Sequence, residues 1–148
     1  MPVNADFQGR EYPPTEPYQV SAAKIREFAE AVGGTDPEHV DADVARSRGY
    51  ADVIAPPTFA VLIAQQVDGQ LVRDPDAGID FTRVVHGEQR FVHHRPLTAG
   101  DSIVGVLHVD TVREAGGNAM VTTRTELATE AGEPVCTAIS TIVIRGAE

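Results

Sequence analysis

Apolar residues recur every three to four positions through the first half of the chain and alternate with polar ones through the second, so helices are expected first and strands after them. After the turn-forming YPPTEP, the short EPYQV reads as a strand. Ser21 then suits an N-cap, with Ile25, Phe28, Ala29 and Val32 at i, i+3, i+4 and i+7 of a first helix that Gly33 and Gly34 stop. A second, short helix is predicted to start at Asp41 or Asp43 and end before Gly49, with Val44 and Ala45 inward and Arg46 and Arg48 outward. The third, APPTFAVLIAQQVDG, places Pro where a first helical turn accepts it. Its run FAVLIA at 59–64 has no polar face, so this helix has to be wrapped by something.

Four β-rich runs follow, VVHGEQRFVHHRP, DSIVGVLHVDTV, NAMVTTRTELAT and EPVCTAISTIVIR, separated by the turn segments LTAGD, REAGGN and EAGE. In the third run Val121, Thr123, Thr125 and Leu127 share one face. In the last, small Cys136, Ala138 and Ser140 alternate with Val135, Thr137 and Ile139, so a helix can lie close against them. The prediction is an α+β fold in one domain over residues 1–148: an antiparallel sheet of about five strands wrapped around a long apolar helix, the hot-dog arrangement.

Composition narrows the function classes. Twelve Lys and Arg against 22 Asp and Glu leave a net charge of −10, which disfavours nucleic acid and anionic membrane surfaces as partners. The longest apolar run is far short of the roughly 20 residues that cross a bilayer. A lone Cys136 offers no intrachain disulfide, and the N-terminal MPVNADFQGREY lacks the basic and apolar run of a signal peptide, so a cytoplasmic protein is expected. His86, His93 and His94 lie on one strand. Simple alternation puts His86 and His94 on one face and His93 on the other, without the further ligands a metal site needs. Gly87 suits a bulge; of the neighbouring pairs Glu88/Arg90 and Gln89/Phe91, one is expected to face outward and the other the helix.

The loop ending in DPEH, the segment GYADVIAPPTF, the strand HGEQRFVHHRPLTAGD and the ending GEPVCTAISTIVIR together resemble the MaoC-like dehydratase family, in particular the mycobacterial (3R)-hydroxyacyl-ACP dehydratase subunits. The resemblance implies a hot-dog subunit that pairs with an identical or homologous one, forms an acyl-thioester tunnel, and handles acyl-CoA or acyl-ACP without metal or organic cofactor. The reaction it implies is reversible dehydration of a (3R)-3-hydroxyacyl thioester to a trans-2-enoyl thioester. That chemistry needs a base for the α-proton, an acid for the departing hydroxyl and a donor for the enolate oxygen.

Against the family loop G-D-x-N-P-x-H, residues 33–39 match at the final His39, while Gly34 stands in place of the catalytic Asp and Asp36 in place of the Asn. His39 and Asp36 are therefore the candidate acid–base residues. Where many active relatives carry His-Gly at the start of the central helix, this chain has Pro56 and Pro57, which have no N–H to donate; the amides of Thr58 or Phe59 become the candidate donors. Two functions fit: a dehydratase or hydratase with a degenerate loop, or a non-catalytic acyl-chain-binding subunit of a heteromeric hot-dog dehydratase. Arg46, Arg48, Arg83, Arg90 and Arg95 are the candidates for a basic patch facing an acidic carrier protein.

Overall fold

The computed structural model describes residues 3–146. Strand β1 (Tyr18–Gln19) precedes helix α1 (Ala22–Val32), a 3₁₀ turn (Pro37–His39), helix α2 (Ala42–Ser47), a second 3₁₀ turn (Pro57–Phe59) and helix α3 (Ala60–Val72). Strands β2 (Val84–His93), β3 (Ser102–Ala115), β4 (Asn118–Thr129) and β5 (Pro134–Ile144) complete one five-stranded antiparallel sheet, as the sequence pattern predicts; the strand order is β1-β3-β4-β5-β2.

The local chemistry follows the sequence closely. Ser21 accepts from the Lys24 amide at 3.1 Å, and Gly33 closes α1 in the left-handed region at φ 72°. Asp41 caps α2 by accepting from the Asp43 and Val44 amides. Gly116 and Gly117, at φ 59° and 81°, supply the two positive torsions that a tight β3–β4 hairpin requires. Two details differ from expectation. Val32 is 52% exposed, because the chain turns away from the core at Gly33, leaving Ile25 and Ala29 as the buried contacts of α1. Helix α3 runs past Gly69 to Val72, since a single glycine without a following proline weakens a helix but does not stop it.

The sheet curls around α3. Burial alternates along most of β4 and, from Cys136 onward, along β5, whose helix-facing row is Cys136, Ala138, Ser140, Ile142 and Ile144. Burial pushes the Cys136 thiol up to about 11, as suits a small core residue with no nucleophilic role. Helix and sheet approach closely at Gly105 of β3: a methyl group there would lie 2.4 Å from Val67 Cγ2 and 3.2 Å from Leu127 Cδ2.

Strand β2 carries the one correction to side-chain direction. Its register against β5 shifts between His86 and Glu88, so Gly87 is a bulge. The extra residue reverses the alternation: His86 lies opposite Ile142 and His93 opposite Cys136, both on the helix side. His94 leaves the strand and lies 3.3 Å from Thr137 Oγ1 on the outer face, so His86 and His94 do not share a face. Gln89 and Phe91 face the helix, while Glu88 and Arg90 pair in solvent at 3.7 Å.

Gly105→Ala is expected to lower stability by about 1–3 kcal/mol through overpacking. Urea unfolding would show a lower midpoint at an unchanged slope, and adding Val67→Ala would recover part of the loss.

Candidate functional site

The loop between α1 and α2 is built by short-range bonds. The Gly34 amide donates to Ala29 O at 2.7 Å, and the chain then enters the 3₁₀ turn that Asp36 caps through the Glu38 amide at 3.1 Å. Arg48, just past α2, reaches back to Asp36 Oδ1 at 2.5 Å and Glu38 Oε2 at 3.1 Å. The Glu38 amide, together with the Arg48 guanidinium, holds the Asp36 carboxyl below the usual carboxylate range. At neutral pH Asp36 is therefore an ionised, occupied acceptor that braces the turn, a poor state for a group expected to give up a proton.

His39 sits differently. It is 7% exposed, and its Nδ1 lies 2.7 Å from the carbonyl of Ile54, which in turn donates its amide to Glu38 O at 3.1 Å. With Nδ1–H given to a carbonyl, the neutral ring carries its lone pair on Nε2, the tautomer a general base needs. His39 and Asp36 share one 3₁₀ turn, in which the His39 amide donates to Asp36 O at 3.1 Å, yet no hydrogen bond joins their side chains.

Segment 53–55, against which His39 is seated, leads directly into the start of α3. There the Phe59 amide is consumed by Pro56 O at 2.9 Å, and the Phe59 ring is fully buried, edge-on to Phe28 at 5.4 Å. Phe59 is thus a core residue whose N–H is already in use, which corrects its candidacy as a donor. Thr58 is exposed and leaves its amide as the candidate that remains. His93 approaches the same turn, with Nε2 2.8 Å from Pro57 O, and ties the helix entrance to β2.

A second feature was not anticipated. A cavity of about 630 Å³ lies beside the C-terminal half of α3, lined by Asp68, Leu71, Val84, His86, Thr123 and Ile142. Asp68 accepts from Thr125 Oγ1 at 3.1 Å, and burial, only partly opposed by that bond, pushes its carboxyl up to about 6. The signal was available in the sequence: Asp68 stands four residues after Ala64 and eight after Ala60, on the buried face of the helix.

The five arginines expected to form a carrier-facing patch are neutralised locally. Arg46 pairs with Asp43, Arg48 with Asp36 and Glu38, Arg83 with Asp80, and Arg90 with Glu88. Arg95 makes a two-pronged contact with Asp101 at 2.8 and 3.0 Å, closing the HRPLTAGD turn, and also meets Glu133. Among the described residues, no group of three or more His, Cys, Asp or Glu is arranged to hold a metal ion, and no helix is long and apolar enough to cross a membrane.

A long apolar helix wrapped by a curled antiparallel sheet, with a His-bearing loop ahead of the helix, defines a hot-dog protein of the dehydratase type. Residues 6–138 match the model for the FAS1-like dehydratase domain region, and the chain belongs to that family. It is 53% identical over 146 residues to a UPF0336 protein of Saccharopolyspora erythraea, covering 99% of this chain and 94% of that one. Among solved structures it is similar to the HadBC (3R-hydroxyacyl-ACP dehydratase) complex from Mycobacterium tuberculosis, at 33% identity and TM-score 0.84, over 93% of this chain and 97% of that one. A MaoC-like dehydratase aligns at 32% identity and TM-score 0.87, over 95% of this chain and 43% of the other.

Because Asp68 titrates near 6 when folded and near an ordinary 3.8 when unfolded, the native state holds a proton between those pH values that the unfolded state has lost. The carboxyl therefore subtracts stability as pH rises through this range, by up to about 3 kcal/mol above it. Asp68→Asn is expected to gain about 1–3 kcal/mol over the wild type near pH 8 and nothing near pH 4, as measured by urea unfolding at both pH values.

Proposed function

We propose that this chain is an acyl-binding subunit of a heteromeric (3R)-3-hydroxyacyl-thioester dehydratase, working beside a second hot-dog subunit that supplies the missing Asp. The observation that carries the reading is the unevenness of the loop. His39 is seated with Nε2 ready to accept the α-proton, whereas the acid position is Gly34 and the nearby Asp36 is an ionised brace bound to Arg48.

In the reaction a base removes the C2 proton, the C3–O bond breaks, and the hydroxyl leaves as water after receiving a proton. His39 suits the first step and, among the loop residues, none suits the last. Enolate charge at the thioester oxygen would meet the N-terminal end of α3, where the Thr58 amide is the donor. The cavity beside α3 is the place for the acyl chain. Support for a partner comes from the HadBC complex, a heteromeric (3R)-hydroxyacyl-ACP dehydratase of the same fold. The carrier, CoA or acyl carrier protein, stays outside the cavity.

A second reading, the chain acting alone, is favoured by the intact His39, and one variant separates the two. A side chain at Gly34 would have Ala29 O at 3.4 Å as its nearest neighbour, an ordinary contact, and its φ is not positive, so Gly34→Asp fits without strain. With medium-chain trans-2-enoyl-CoA, the wild type alone is expected to show no hydration, and Gly34→Asp to gain it. Adding His39→Ala should remove the gain. Turnover by the unaccompanied wild type would favour the second reading, and a Gly34→Asp protein that stays folded and inert would count against His39 as base.

A further inference from the structure

We propose that the cavity beside α3 selects acyl chains that carry a hydrogen-bonding oxygen along their length, and that Asp68 is the residue that selects them. The proposal rests on the acyl-binding reading above and deepens it. At about 630 Å³ the cavity falls in the range that small-molecule ligands occupy. Its wall has two characters. Leu71, Val72, Val84 and Ile142 offer apolar surface to a hydrocarbon chain, while Asp68 and Thr123 interrupt it with oxygen.

A plain alkyl chain filling this space would strip water from a carboxyl that has one protein hydrogen bond, the one from Thr125 to Oδ1. A carboxylate has room for about four such bonds, and an acceptor left unpaired away from water is costly. The polar character also continues behind the wall. Ser140, the cross-strand partner of Thr123 in the next row of the sheet, has a buried hydroxyl with no partner among the described residues. A chain bearing a hydroxyl at the depth of Asp68 keeps the apolar contacts and pairs the carboxylate as well.

A cation lines the same cavity. Arg73 lines the cavity with its guanidinium over Gly69, and no carboxylate lies within 4 Å of it among the described residues. It suits a second oxygen, hydroxyl or carboxylate, carried toward the far end of a chain whose thioester head lies at the start of α3.

The test is calorimetric titration of the full-length protein with decanoic acid and with hydroxydecanoic acids whose hydroxyl sits at successive mid-chain carbons. At least one hydroxy isomer is expected to bind about tenfold tighter than decanoic acid, as a hydrogen bond to a charged group implies. Asp68→Leu should reverse the order, and Asp68→Asn should keep part of it. If decanoic acid binds as tightly as every hydroxy isomer, the selectivity is overturned while the acyl-binding reading stands. If no chain binds, both fall. An unchanged preference in a folded Asp68→Leu protein would remove Asp68 from the role, and should that variant not fold, the positional series in the wild type and in Asp68→Asn decides.

Discussion

Everything in this fold depends on how closely α3 can approach the concave face of the sheet. The contact is made where Gly105 leaves room for Val67, and where Cys136, Ala138 and Ser140 keep the facing row of β5 low. Dispersion and burial at that interface supply the core, because a helix as apolar as Ala60–Val72 has no stable surface to present to water. The close seating also fixes geometry. With α3 held at van der Waals distance, the turn that begins it cannot drift relative to β2, and His93 reaching Pro57 O adds a polar tie at the same point.

From that anchored turn the candidate site is laid out by main-chain bonds. Ile54 bridges Thr98, its amide serves Glu38 and its carbonyl serves His39, so the loop that carries His39 is indexed to the segment that leads into the helix. Arg48 clamps the other side of the loop through Asp36 and Glu38. These bonds orient His39 without any contribution from a carboxylate at position 34, so the loop keeps its shape even though Gly34 has no acid to offer. Structural support for His39 and chemical completeness of the candidate site are separable here.

The sequence made the elements legible because each had a local cause: Ser21 and Asp41 as caps, Gly33 as a stop, paired glycines for the hairpin, and alternation through most of β4 and β5. What it hid were consequences of register and pairing. The bulge at Gly87 was readable, but its effect on the faces of His86, His93 and His94 needed the partner strand. The Asp36–Arg48 pair joins residues 12 apart across two turns, and the use of the Phe59 amide depends on the 3₁₀ start of α3. Arginines that looked free in one dimension found carboxylates in three.

Asp68 shows how a local rule is broken at the same interface that makes the fold possible. Apolar burial sets the helix against the sheet, yet one turn beyond Ala64 the buried face carries a carboxyl that desolvation drives toward its neutral form. Thr125 offers it a single bond, and none of the three helices, the hairpin or the loop braced by Arg48 uses it. A leucine there would continue the surface of Leu71 and stabilise the core. A group that weakens the fold at neutral pH and opens onto a cavity derives its physical sense from what the cavity holds. The seating of α3 and the chemistry of the cavity are thus two sides of one helix, with packing on the Val67 side and recognition on the Asp68 side.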